Sequence, residues 1–153
     1  REMVPDANYE ICVLAWDKNG VFQEITKVPV TTKKLGEPGE ATVEIKIGEF
    51  GGSKKGGYFQ DVTYTPNDQA ALHRDIIITE EAFNKADMGN FGVIKMLQTD
   101  HPKDIYWNQY RVDRARWNDT PLTTYYACSI AKNVDGKWGE LKKVKFTTPA
   151  AKE

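Results

Sequence analysis

Residues 125–148 read YYACSIAKNVDGKWGELKKVKFTT, and residues 9–32 read YEICVLAWDKNGVFQEITKVPVTT. Aligned without a gap, the two stretches share Tyr, Cys, Ala, Gly, Glu, Lys, Val and a final Thr-Thr at matching positions. A proline also lies four residues before each tyrosine, at Pro5 and Pro121. The chain therefore contains one structural element twice, and the form of that element decides the fold class.

Each stretch is divided by a dipeptide that tolerates positive φ, Asn19-Gly20 in the first and Asp135-Gly136 in the second. Each therefore predicts two antiparallel strands joined by a tight turn. Side chains alternate between the two faces of a strand, so Ile11 and Val13 lie on one face while Cys12 lies on the other. Apolar residues occupy both faces of each hairpin, and we expect cover on both sides.

The two copies are 125 − 9 = 116 residues apart, so the repeating unit has the size of a whole domain. The second copy closes one complete unit, which predicts a domain over residues 34–149 and a short tail over 150–153. The first copy has almost no chain before it, so residues 1–33 are interpreted as the C-terminal hairpin of a similar preceding module. The chain also begins with Arg1, and we expect it to be a piece of a longer protein.

These hairpins resemble the fibronectin type III family, whose sixth strand is entered through a Leu-x-Pro-x-Thr-x-Tyr signature. Residues 3–9, MVPDANY, fit that signature with Met for Leu and Ala for Thr, and Pro121, Thr123 and Tyr125 fit it in the second copy. Asp119 stands where the family has leucine. The resemblance implies a mainly β, immunoglobulin-like sandwich in which the Tyr9 and Tyr125 hydroxyls bond to nearby backbone as structural tyrosine corners.

The middle of the unit predicts the remaining strands and an insertion. Strands are expected over 41–47, with a second over 61–66 that places Tyr64 where the family has a core tryptophan, and a third over 73–79. Thr79 predicts a helix cap followed by Glu80 and Glu81 in the first turn, with Ala82, Phe83 and Ala86 as its apolar stripe and Gly89 at its end. Residues 91–97 fit a helix or a strand equally well. This partly helical insertion near 79–98 is expected to cover the outer apolar face.

Composition and charge exclude several functional classes. The net charge is −1, with acidic and basic residues spread along the chain, so no nucleic-acid footprint is expected. No stretch approaches the ~20 apolar residues of a membrane span. Cys12 and Cys128 hold the same position in the two copies, which favours free, largely buried thiols over a disulfide. The family resemblance implies an extracellular or cell-surface location, in a multidomain protein of the bacterial type.

The densest aromatic stretch, residues 104–117, is the strongest candidate for ligand binding. Rings beside Asn, Gln, Asp and Arg are what sugar recognition needs, and Trp138 follows a hairpin turn where such sandwiches often bind partners. The candidate ligand residues are Tyr106, Trp107, Tyr110, Trp117 and Trp138. The alternative is structural: the rings pack in the core, and Trp138 and its equivalent Phe22 staple their hairpins.

No catalytic residue, metal ligand or cofactor motif is predicted. His73 and His101 lack partners at metal-ligand spacing, and residues 51–57 are Gly-rich without the order of a phosphate-binding loop. The sequence therefore favours a non-catalytic spacer or interaction module whose partners are neighbouring modules and a protein or polysaccharide. The second hypothesis is a carbohydrate-binding accessory domain of a secreted polysaccharide-degrading enzyme. Because an isolated hairpin is marginal in water, residues 1–32 are expected to dock onto the following module or in a dimer.

Overall fold

The computed structural model describes residues 3–85 and 89–151, and it is mainly β, with 48% of residues in strands and 10% in helices. The elements in chain order are β1 (Asn8–Val13), β2 (Thr26–Thr31), β3 (Val43–Ser53), β4 (Gly57–Pro66), β5 (Ala70–Thr79), α1 (Glu80–Phe83), α2 (Gly89–Gln98), β6 (Asp113–Asp119), β7 (Thr124–Asn133) and β8 (Lys142–Thr147). The chain divides into two compact units, Arg1–Leu35 and Gly36–Glu153. The mainly β prediction is confirmed.

The first unit is a β-hairpin. β1 pairs antiparallel with β2, with Tyr9 opposite Val30 and Cys12 opposite Lys27. The turn closes where the sequence predicts it, because the Gly20 N–H donates to the Asp17 carbonyl at 3.0 Å and Gly20 adopts φ of 75°. That positive φ is the conformation in which only glycine pays no steric cost.

The second unit contains two three-stranded antiparallel sheets, with strand orders β3-β4-β6 and β5-β7-β8. All three strands predicted from the sequence are present: the first begins two residues later and ends later than expected, and the second and third begin earlier than expected. The Gly-rich residues 51–57 end β3 and begin β4, with Ser53 opposite Gly57, so this segment is a strand connection.

The core lies on both faces of the β5-β7-β8 sheet. On one face, Ala127 and Ala131 of β7 pack against Val43, Val62 and Tyr64 of the facing sheet. On the other face, Cys128 and Ile130 pack against residues of the helices, namely Phe83, Val93 and Leu97. The molecule therefore uses both apolar faces of the repeated strand, and the insertion covers the outer face as predicted.

The helical insertion differs in detail from the prediction. The Thr79 hydroxyl caps α1 by accepting from the Ala82 N–H at 3.2 Å, but α1 ends at Phe83. Gly89 opens α2 instead of ending α1, and it adopts φ of 74°. The ambiguous residues 91–97 are helical, and Ala86 lies outside the described residues.

The two hairpins match each other in hydrogen bonding as well as in sequence. The Tyr9 hydroxyl accepts from the Val4 N–H at 2.7 Å, and the Tyr125 hydroxyl accepts from the Thr120 N–H at 2.9 Å. Thr32 and Thr148 each accept from a backbone N–H at 3.0 Å. These bonds satisfy backbone groups that would otherwise have no partner where the chain enters and leaves each hairpin.

Backbone conformation repeats at the same spacing. Among the described residues, Asp6 and Leu122 are the two non-glycine residues with positive φ, at 51° and 53°, and they are 116 positions apart. Gly136 in the second turn has φ of 80°, against 75° at Gly20. The shared sequence therefore specifies one hairpin structure in two places.

The two cysteines are free, so the predicted absence of a disulfide is confirmed. The expectation that both are buried is wrong for Cys12, which is exposed, whereas Cys128 is buried. The two cysteines differ in burial because helices and a neighbouring strand pack around Cys128, whereas the first unit contains a single hairpin. Burial raises the pKa of the Cys128 thiol to about 12.

Neither of the two described helices has the length and apolar character needed to cross a membrane.

Candidate functional site

A cavity of about 430 Å³ lies between β5 of one sheet and β6 of the other. Residues 104–109, which precede β6, form its third wall. This segment is attached to β5 through two backbone hydrogen bonds between His73 and Gln109, at 2.8 and 2.9 Å. The cavity therefore sits where the edges of the two sheets meet the loop that the sequence singles out for its aromatic residues.

Three of the five candidate ligand residues line this cavity: Tyr106, Trp107 and Trp117. Tyr106 is 74% exposed, whereas Trp107 and Trp117 are half-buried, and Trp117 packs against the inter-sheet core. Tyr110 is half-buried and does not line the cavity, and Trp138 lies on the β7–β8 hairpin. The structure thus brings part of the predicted set together and places the rest elsewhere.

Trp107 and Trp138 share one cation, Arg74. The Arg74 guanidinium lies 5.6 Å from the centre of the Trp107 ring and 5.2 Å from that of Trp138. The Lys132 ammonium is also 4.9 Å from the Trp138 ring, across the bridge that pairs these two residues. The Trp138 ring is therefore engaged with the adjoining strand, which favours the stapling interpretation of this residue.

Arg74 is a buried anchor for the segment that follows α2. Its side chain is 2% exposed and donates to the carbonyls of Leu97 and Thr99 and to the side chains of Asn108 and Asp100. Asp100, at 2.6 Å, is itself 83% exposed, and this hydrogen bond lowers the pKa of its carboxyl group. A buried guanidinium needs such a full set of acceptors, so this network holds the loop in place.

His73, Asp75 and Ser129 form a buried chain of hydrogen bonds beside the cavity. The Ser129 hydroxyl donates to Asp75 Oδ1 at 2.6 Å, and His73 Nδ1 lies 2.9 Å from the same oxygen. His73 Nε2 lies 2.6 Å from the Arg111 carbonyl. Burial lowers the pKa of His73, but the bond to Asp75 and the charge of that carboxylate outweigh burial, and the pKa is raised.

The hydrogen-bonded side chains of His73, Asp75 and Ser129 do not have the arrangement of a nucleophile with its base. A general base must hold a free nitrogen next to the hydroxyl that it activates. Here both ring nitrogens of His73 face acceptors, and Ser129 bonds to the carboxylate instead of the imidazole. His73 and Ser129 are also fully buried. The geometry fits a protonated imidazole that ties β5 to Arg111.

Asp113 and Asp75 form a second polar feature of the cavity wall. Burial, together with the nearby negative charge of Asp75, raises the pKa of Asp113 to about 6, although the positive charge of His73 opposes the shift. Asp75 Oδ2 is buried and accepts no conventional hydrogen bond in the described structure. A protonated Asp113 would supply the proton for that oxygen, because two adjacent carboxylates resist ionising together.

Most other polar groups of the cavity are already engaged. Arg116 makes two hydrogen bonds to Asp61 at 2.7 and 2.8 Å, and its guanidinium lies 3.7 Å from the centre of the Phe59 ring. Gln109 donates to the Tyr106 carbonyl at 2.7 Å. What faces outward is the Tyr106 ring with the Asp104 carboxylate beside it, of which Oδ1 accepts from the Tyr106 N–H at 2.9 Å. This combination is suited to a shallow contact with a polar, ring-shaped ligand.

Sequence reasoning missed the acidic side of this cavity. Asp75 and His73 lie two residues apart on a strand that is mostly apolar, which places both on the same face of that strand. That pattern was the available signal for a buried polar network. Within residues 3–85 and 89–151, no three His, Cys, Asp or Glu side chains are grouped as a metal site requires.

Comparisons with protein-family models, curated proteins and solved structures find no match to this chain.

Proposed function

We propose that this chain is a non-catalytic β-sandwich module that acts as a spacer or interaction domain in a larger extracellular or cell-surface protein. The proposed location and module type are both based on the resemblance of the two hairpins to the fibronectin type III family. Neighbouring modules of the same parent chain would be its immediate partners.

The observation that carries this proposal is the duplicated hairpin. Sequence, turn conformation and the backbone bonds of Tyr9 and Tyr125 all repeat at one spacing of 116 residues. Duplication at domain spacing is what tandem modules produce, and a repeat of this length is too long for a short solenoid unit. Chains built from tandem modules commonly serve as spacers and as arrays of binding surfaces.

The polar network supports a structural role for its residues. Ser129, Asp75 and His73 bond to one another and to Arg111 inside the sandwich, where they connect β5 to β7 and to residue 111. Because their hydrogen-bonding atoms point toward each other, these side chains hold neighbouring strands together inside the sandwich.

Surface labelling of source cells tests the proposed location. A membrane-impermeant amine-reactive biotin reagent, followed by detection with an antibody against this chain, should label the parent protein on intact cells. Labelling that occurs only after lysis, as for a cytoplasmic control protein, would contradict the proposal.

The alternative function is that of a carbohydrate-binding accessory domain, and one observation favours it. Tyr106, Trp107 and Trp117 line a single cavity together with the carboxylates of Asp104 and Asp113. Tyr106 is the exposed ring, so it would be the platform for a sugar, while Trp107 and Trp117 would report binding through their fluorescence.

Fluorescence titration with a panel of soluble polysaccharides tests this alternative. If it holds, a sugar should shift the tryptophan emission, and Tyr106→Ala should weaken that binding about tenfold or more, equivalent to about 1.4 kcal/mol or more. The matched control is Phe91→Ala, which removes an aromatic ring that is 79% exposed on α2, away from the cavity. Unchanged emission at millimolar sugar would reject the alternative and leave the spacer proposal intact.

A further inference from the structure

Three carboxyl groups line the cavity between β5 and β6, those of Asp75, Asp104 and Asp113. Among the described residues, Arg116 is the one cationic side chain that lines it with them. The Arg116 guanidinium donates two hydrogen bonds to Asp61, which is not part of the cavity wall. The wall therefore carries more negative charge than its own cation compensates.

The groups that surround Asp113 leave this excess in place. His73 and Asp75 face it from β5, and Tyr64 lies opposite it on β4. His73 Nδ1 lies 2.9 Å from Asp75 Oδ1, so the charges of this pair compensate each other. The Tyr64 phenol is neutral, because burial raises its pKa. Asp104 adds a further carboxylate from the loop, so the charges of Asp113 and Asp104 remain uncompensated.

Asp75 extends the acidic character of the wall into the interior of the fold. Its side chain is 2% exposed, and among the described residues its Oδ2 atom finds no donor other than a proton held by Asp113. A buried carboxylate oxygen costs free energy unless a donor or a positive charge lies beside it. The wall therefore favours a ligand that brings positive charge.

The remaining lining residues favour an organic cation over a metal ion. No three acidic, histidine or cysteine side chains within residues 3–85 and 89–151 are grouped as a metal ion requires. The rings of Tyr106, Trp107 and Trp117 line the same cavity. Aromatic faces attract ammonium groups and also pack against the apolar face of a sugar ring. The volume of about 430 Å³ lies within the ~300–1,000 Å³ typical of small-molecule sites.

We propose that this cavity binds an amino sugar, with the protonated amine beside Asp113 and Asp104 and the sugar ring against Tyr106. The inference rests on the carbohydrate-binding alternative above, because it names the class of sugar for the same cavity. Asp104 accepts from the Tyr106 N–H through Oδ1 and retains lone pairs for a ligand. A charge-assisted hydrogen bond from an ammonium group is roughly twice as strong as a neutral one, and an N-acetylated sugar cannot form it.

Binding of the amine releases the proton of Asp113. The O–H bond breaks, the carboxylate keeps the electron pair, and the proton passes to solvent, so the ligand cation takes over the charge compensation. Because the pKa of Asp113 is about 6, affinity should fall about fivefold between about pH 6 and about pH 5. The pKa of His73 is raised, so it stays protonated in this range, as do the neighbouring arginines, Arg111, Arg114 and Arg116.

Isothermal titration calorimetry of the full chain at about pH 6 tests the proposal with two probes, the tetramers of glucosamine and of N-acetylglucosamine. The glucosamine tetramer should bind about tenfold more tightly or better. Buffers of different ionisation enthalpy should report about half a proton released per bound amine. Equal affinity for the two tetramers would overturn the proposal and leave the carbohydrate-binding alternative standing, whereas binding of neither would reject both.

A pair of variants separates this site from general attraction between a cation and acidic side chains. Asp113→Asn can still donate a hydrogen bond to Asp75 Oδ2, and it should weaken binding of the glucosamine tetramer about tenfold and remove the pH dependence. Glu81→Gln removes the same charge from an exposed residue of α1 that does not line the cavity, and its affinity should be unchanged. Equal weakening by both variants, or none by Asp113→Asn, would overturn the proposal. The comparison of the two tetramers uses the unaltered protein and does not depend on these variants.

Discussion

Asp119 is an acidic residue at a position that is apolar in the first copy of the repeat. The equivalent position in the first copy is Met3, 116 residues earlier. Asp119 is 9% exposed, and neither carboxylate oxygen has a hydrogen-bond partner among the described residues. Burial raises the pKa of this carboxyl group to about 6. A buried group without a partner destabilises the fold, so the site is a candidate for stabilisation.

We therefore predict that Asp119→Leu raises the free energy of unfolding by about 1–3 kcal/mol at about pH 7. The folded state holds the Asp119 proton more tightly than the unfolded state does, so the native protein loses this contribution to stability as pH rises from about 4 through about 6. The advantage of the variant should shrink accordingly toward about pH 4. Urea unfolding of the variant and of the unaltered protein at both pH values measures this difference in the free energy of unfolding.

Asp119→Asn is the control, since it removes the charge at nearly constant size and separates the electrostatic gain from the apolar gain. If the advantage of Asp119→Leu is the same at both pH values, or if the variant is less stable, the charge of Asp119 is not the destabilising feature.

At the scale of elements, α2 acts as a layer of the core and not as a surface decoration. Val93 and Leu97 are fully buried against Cys128 and Ile130 of β7. The Lys143 ammonium of β8 donates to Asn90 at 2.9 Å, and Lys145 of the same strand pairs with Glu80 of α1. Apolar packing and polar contacts at the rim thus attach the insertion to the sheet.

Leu97→Ala should therefore lower the free energy of unfolding of the second unit by about 2–5 kcal/mol, because it leaves a cavity between α2 and the sheet. Phe91→Ala removes a larger side chain from the same helix, but that side chain is 79% exposed, and its effect should be within about 0.5 kcal/mol. Chemical denaturation of both variants measures the contrast. If both variants changed the free energy of unfolding by similarly small amounts, the helix would not contribute to the cooperative core.

At the scale of the whole molecule, the same hairpin occurs once with cover and once with exposed faces. Tyr125 and Cys128 are buried, while their equivalents Tyr9 and Cys12 are half-buried and exposed. Nine shared positions specify the hairpin, but among the described residues, and within its own unit, only the second copy has a further strand and helices packed on it. Burial of the shared residues therefore depends on the segments packed around each hairpin and not on the hairpin sequence itself.

The candidate site shows where prediction from the sequence stops. The aromatic residues 104–117 stood out by density alone, and three of them line one cavity. The carboxylates opposite them, Asp75 and Asp113, lie on β5 and β6 and meet only because the two sheets face each other. Arg74, between the rings of Trp107 and Trp138, joins residues from three distant segments, which no local spacing could indicate.

The sequence by itself determined what depends on neighbouring residues. Alternation and turn glycines specified the hairpins, and Thr79 specified the start of α1, because strand pairing across a tight turn and helix capping are local interactions. Only the tertiary structure determined the secondary structure of residues 91–97. Their sequence fits a helix or a strand, and packing against the apolar face of β7 favours the helix. It also decided the different burial of Cys12 and Cys128, since cover comes from segments far away in the chain.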